Sequence, residues 1–145
     1  MKKILLLSTL FILGAAGTVI ANSNTYTPEY VEHLKTCTVH SEKYSAEIPT
    51  DDPNTPVIHL KSTENINGWK DGKCITTSTV FSIDMNQDIL TTKCAFSEDQ
   101  LKSVTNKMTA AQKGDAKAKQ ELQAEMTKLV QDTSVCQVQN LLKTN

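Results

Sequence analysis

Through the middle of the chain apolar and polar positions alternate with a period of two; toward the C-terminal end the period lengthens to about 3.6, so a small sheet followed by helices is expected. The sheet signal is concentrated in Ile66–Phe96, INGWKDGKCITTSTVFSIDMNQDILTTKCAF. Within it, Asp71-Gly72 supplies the two positive-φ positions of a type I′ turn, which sets Lys70 opposite Lys73 and Trp69 opposite Cys74. From Cys74 to Ile83 the chain is rich in Ile, Thr, Val and Phe, residues suited to a pleated, half-buried surface. Asp84-Met85-Asn86-Gln87-Asp88 is the next polar break, and Ile89–Phe96 is a third run. There Leu90, Thr92, Cys94 and Phe96 share one face, while Thr91, Lys93 and Ala95 take the wetter one.

Helical signals flank this meander. Thr27-Pro28-Glu29 reads as N-cap, first helical residue and dipole-complementing acid. Tyr30, Leu34 and Cys37 then fall on one stripe of a short helix ending between Cys37 and His40. Lys43–Ile48 is expected as an edge strand. Residues 49–56, PTDDPNTP, are a loop, Val57–Lys61 a further strand, and Ser62–Asn65 a lead into the hairpin. After Phe96, Ser97 with Gln100 forms a capping box that opens a helix with Leu101, Val104, Met108 and Ala111 on one face. Lys113-Gly114-Asp115 closes that helix and caps the next. The second helix carries Leu122, Met126, Leu129 and Val130, and Cys136 continues its phase.

The opening Met-Lys-Lys, the apolar run ILLLSTLFILGAAGTVI and the small residues Val19 and Ala21 have the form of a secretory signal peptide, residues 1–21. The alternative is a membrane anchor, disfavoured because no basic stop-transfer cluster follows. Export would leave residues 22–145 as one disulfide-stabilised domain of bacterial type, periplasmic or secreted, without stable membrane insertion. Loss of Lys2 and Lys3 takes the 15 cations to 13 against 16 acids, a balance of −3. Mild acidity of this kind argues against a nucleic-acid partner, which requires clustered cations. Every cation is lysine; arginine, the residue best shaped for bidentate phosphate or carboxylate capture, does not occur.

Four cysteines, Cys37, Cys74, Cys94 and Cys136, fall in the exported part, and an even count in an oxidising compartment reads as two disulfides. The preferred pairing, Cys37–Cys74 with Cys94–Cys136, ties each helical flank to a strand. The alternative is Cys74–Cys94 with Cys37–Cys136. A loop centred near Asn86 would pair position 74 with a residue near 98, leaving Cys94 out of register unless a bulge intervenes.

Candidate chemistry is sparse. His33, Cys37 and His40 sit at i, i+4 and i+7, a spacing that aims three ligands at one ion, with His59 as a fourth. Metal binding through Cys37 requires a free thiol, which the disulfide reading denies. Asp84-x-Asn86-x-Asp88 opens like a calcium loop but places Ile89 where glycine is needed and Ala95 where glutamate is needed. No G-x-S-x-G, H-E-x-x-H, C-x-x-C or glycine-rich phosphate loop occurs. The acid pairs Asp51-Asp52 and Glu98-Asp99 have local roles in a loop and at a helix start. Trp69 is expected in the core, with an exposed contact role for Trp69 and Asp71 as the alternative.

The expected fold is α+β: a small antiparallel β-meander, a short N-terminal helix and a C-terminal helical hairpin over one sheet face, held by two disulfides. The expected function is that of a non-catalytic binding module of the cell envelope, without a cofactor, whose partner is a protein or envelope component. The competing expectation is a periplasmic metal- or small-ligand-binding protein using His33, His40 and His59.

Overall fold

The computed structural model describes residues 26–142; the expected export segment, residues 1–21, lies outside them. The order of elements is α1 (Pro28–Thr36), β1 (His40–Pro49), β2 (Val57–Lys70), β3 (Lys73–Ser82), β4 (Gln87–Phe96), α2 (Glu98–Gln112), α3 (Ala116–Gln131) and β5 (Cys136–Asn140). The five strands form one antiparallel sheet in the order β1-β2-β3-β4-β5, each strand paired with its sequence neighbour. The architecture is α+β. Among the described residues no helix is long and apolar enough to cross a membrane.

Local chemistry sets the boundaries. Thr27 accepts the backbone N–H of Tyr30, and Pro28 starts α1. Cys37 ends it in the left-handed region at φ 52°, its N–H turned back to the last turn. Ser97 and Gln100 form the reciprocal capping box of α2, and Asp115 caps α3 through the Ala118 N–H. Asp71 and Gly72 take φ of 51° and 72°, so Lys70 faces Lys73 and Trp69 faces Cys74 as the turn demands.

Four expectations are corrected. Residues 62–65 are no lead-in: β2 runs unbroken from Val57 to Lys70, since Ser62 and Glu64 keep the parity of Leu60 and Ile66. The first strand begins at His40, three residues before the expected Lys43. Cys136 does not continue a helix, because α3 stops at Gln131 and the chain turns through Asp132, whose carboxylate accepts the Ser134 N–H. It then adds a fifth strand beside β4. Finally, the turn between β3 and β4 centres between Asp84 and Met85, Ser82 facing Gln87, and not near Asn86; with the one-residue shift between Val80 and Phe81 this sets Cys74 opposite Phe96 rather than a residue near 98.

The disulfides are Cys37–Cys74 and Cys94–Cys136, with Cα atoms 5.8 and 4.1 Å apart. The first ties the end of α1 to β3. The second joins directly opposed residues of β4 and β5, a strand-to-strand link in place of the expected helix-to-strand one. Among the described residues no cysteine is free.

Two apolar clusters cover the inner face of the sheet. The larger gathers Tyr30, Val31 and Leu34 of α1 with Leu101, Val104 and Met108 of α2 and Leu122 and Leu129 of α3. They meet over Ile66, Phe96 and the two cystines. The smaller, toward the opposite end of the strands, holds Ile48, Leu60, Val80, Ile89 and Leu90. Between them a transverse row crosses the sheet in register: Glu42, Glu64, Ser78, Thr92 and Val138. Its members are mostly polar, and the next row includes Thr76 beside Ile66. The candidate chemistry of the molecule lies on this belt and where the end of α1 meets its edge.

Candidate functional site

Glu64 stands at the centre of that row, on the second strand, and is only 4% exposed. Ser78 Oγ donates to its Oε1 at 2.7 Å, and the nearby Ser62 hydroxyl also favours its charged form. Removal from water opposes ionisation more strongly than these donors favour it, so its pKa is pushed up to about 7. Among the described residues no cation is placed to offset the charge.

Above Glu64 lies a cavity of about 70 Å³. Thr76, Ser78 and Thr92 complete its polar floor, while Leu34, Phe96, Val104, Met108, Met126 and Val130 supply apolar walls and roof. Val138, 42% exposed, stands at the rim. Tyr26 and Tyr30 close another side with rings stacked at 4.7 Å, and Tyr44 meets the edge of Tyr26 at 5.7 Å. Burial raises the pKa of both Tyr26 and Tyr30, and the charge of Glu64 adds to the effect. A neutral aromatic wall therefore faces a carboxyl with no counter-ion, in a pocket whose remaining walls and roof are apolar. Aromatic faces and an unpaired carboxylate both attract cations.

At the edge of the belt, Glu42 is the opposite number of Glu64 on β1. It accepts hydrogen bonds from Thr27 Oγ1 at 2.5 Å and from Tyr44 OH, and its Oε1 lies 2.9 Å from His40 Nε2. Partial burial pushes its pKa up, but these three partners outweigh that and leave it below the ordinary value. His40 in turn stacks on His33 of α1, ring centroids 4.2 Å apart and planes within 8°. Glu29 Oε1 reaches 4.0 Å from His33 Nε2 one turn earlier on the helix. Donor atoms of Glu29, His33 and His40 all lie within 4.8 Å of one another.

The structure thus unites two of the three histidines singled out in the sequence and leaves the third elsewhere. His59 faces Glu47, seven positions along β1 from His40, roughly 23 Å at the rise of a strand. Its backbone N–H donates to Asp84 Oδ2 at 2.8 Å, and its ring lies 3.2 Å from Oδ1, which fastens the β3–β4 turn to β2. Those contacts, the backbone hydrogen bond first, lower the pKa of Asp84. Cys37, the third member of the spaced trio, is in a cystine.

Trp69 does not enter the core. It is 47% exposed, and its Nε1 donates at 3.1 Å to the carbonyl of Thr36, one of the unpaired acceptors at the end of α1. The bulge at Gly68, φ 90°, brings β2 against the chain leaving that helix, where an added Cβ would sit 3.4 Å from Val39. Asp71 is an exposed turn residue. Glu42 and Glu64 escape the sequence reading, and Glu29 enters it only as a helix-start acid and not as a site residue. Glu64 was marked only by its parity with Leu60 and Ile66, and Glu29 only by its four-residue spacing from His33.

No protein-family model, curated protein or solved structure matches this chain.

Proposed function

We propose that the protein is exported to the cell envelope, loses residues 1–21, and serves there as a non-catalytic module that binds a small organic cation above Glu64. One observation carries this reading: a carboxyl buried without a counter-charge at the floor of a cavity, beside the stacked rings of Tyr26 and Tyr30. Binding sites of this kind are mostly apolar, with a few polar groups that fix orientation. A cavity of about 70 Å³ suits a short primary alkylamine, its ammonium on Glu64 and its chain against Met126 and Val130. Two disulfides fit a compartment that keeps cysteines oxidised.

Calorimetric titration of the oxidised protein with n-butylamine, n-butanol and butyrate at pH 8 tests the assignment. The amine binds, the acid does not, and Glu64→Gln weakens amine binding by about tenfold or more, the loss of one buried charge-assisted contact. Equal binding of butanol and butylamine, or an unchanged affinity in Glu64→Gln, refutes it. For the cellular part of the reading, mass analysis of the product from envelope extracts should give a chain beginning at Asn22.

A further inference from the structure

Independently of the cavity, we infer that Glu29, His33 and His40 form a surface site for a divalent transition ion of the zinc and copper class. The ligand set is two imidazoles and one carboxylate, a composition that suits zinc, copper and nickel better than magnesium or calcium. Two of the three come from one face of α1, since Glu29 and His33 are one helical turn apart. The third is the first residue of β1, brought back by the left-handed turn at Cys37 and the clip from Cys37 to Cys74.

The donor atoms lie within 4.8 Å of one another. Tetrahedral zinc, with bonds of about 2.0–2.1 Å, needs donors about 3.4 Å apart. Closing that difference takes a swing of the exposed Glu29 side chain and a rotation of the partly exposed His33 ring out of its stack on His40, since parallel rings cannot both aim an in-plane lone pair at one ion. His40 needs no search for its orientation. Glu42 holds one of its nitrogens, Thr27 and Tyr44 hold Glu42, and the other ring nitrogen is left to the ion. Carboxylates hydrogen-bonded to a ligating histidine in this way fix the ring and raise its basicity. Three protein ligands leave at least one coordination position open to solvent, so the site would take up and exchange its ion rather than bury it. His59 plays no part.

The test is titration of the oxidised protein with zinc ion alone, followed by calorimetry and by the ring-proton resonances of the three histidines. One equivalent of zinc shifts the resonances of His33 and His40 and leaves those of His59 in place. His33→Ala abolishes the transition, and Glu29→Gln weakens binding about tenfold. Glu42→Gln, which removes a positioning residue, weakens it about 10- to 100-fold with stoichiometry kept. His59→Ala serves as the control and binds as the parent does. Circular dichroism of each variant establishes that it is folded. Absence of any shift at His33 and His40 at millimolar zinc overturns the assignment, as does binding that survives His33→Ala. Zinc affinity is unaltered in Glu64→Gln, so failure here and failure of the cavity reading are separable results.

Discussion

Replacing Glu64 with glutamine keeps the shape of the side chain and its ability to accept from Ser78 while removing its proton chemistry. In the folded protein the carboxyl titrates at about 7 against an ordinary 4.5. Between those values the native state holds a proton that the unfolded chain has released, so stability falls as pH rises through the window. At 1.36 kcal/mol for each pH unit, the fall amounts to about 3 kcal/mol, complete a little above pH 7. Below pH 4.5 the two states are protonated alike and Glu64 contributes no pH dependence. Urea unfolding at pH 4.5, 6 and 8, followed by circular dichroism, measures it as a midpoint shift on the order of 1–2 M. Histidines and other carboxylates titrate in the same range, but they are common to both proteins. The difference between parent and variant therefore isolates Glu64. The variant gains on the parent with rising pH and exceeds it by up to about 3 kcal/mol at pH 8, less any cost of seating the amide. A parent–variant difference that stays flat from pH 4.5 to 8 would show that Glu64 does not titrate in this window and would refute the argument from burial.

Four further outcomes follow from the described contacts. The double substitution Cys94→Ser/Cys136→Ser opens a loop of sequence separation 42 and lowers unfolding free energy by up to about 4 kcal/mol on the chain-entropy view, read by denaturant titration. Gly72→Val forces a β-branched residue to φ 72° and costs about 1–2 kcal/mol, whereas Asp71→Asn at φ 51° is close to neutral. Trp69→Phe loses the bond to Thr36, a cost of about 1 kcal/mol in denaturant titration. In the parent, indole fluorescence is quenched readily by acrylamide, as befits a ring 47% exposed; resistance to quenching would place Trp69 back in the core.

The fold was readable wherever a residue's local preference and its tertiary role coincide. Asp71-Gly72 can do little but turn the chain, and Ser97 with Gln100 states where α2 begins. The alternation through Leu90, Thr92, Cys94 and Phe96 named the correct inner face. Reading failed where the two diverge. Cys136 lies seven residues beyond Leu129 and so matches a helical stripe, yet the turn at Asp132 and the cystine to Cys94 commit it to a strand. A lone Trp in a small domain is expected to pack on a helix, but the carbonyl of Thr36, distant in sequence, holds the polar edge of Trp69 at the surface. The site was less legible than the fold. His33 and His40 were visible through spacing, whereas Glu64 is one acid in a polar run and gains meaning only when four strands align its row. Such transverse neighbours have no signature along the chain.

The sulfur bridge between Cys37 and Cys74 fastens the end of the helix that bears His33 to the strand that bears Thr76 and Ser78. It therefore buttresses the stacked pair His33 and His40 and the contact of Ser78 with Glu64 from one point. The double substitution Cys37→Ser/Cys74→Ser, which avoids a thiol reductant that would itself bind zinc, should slacken both together and weaken the proposed binding of zinc and of butylamine alike.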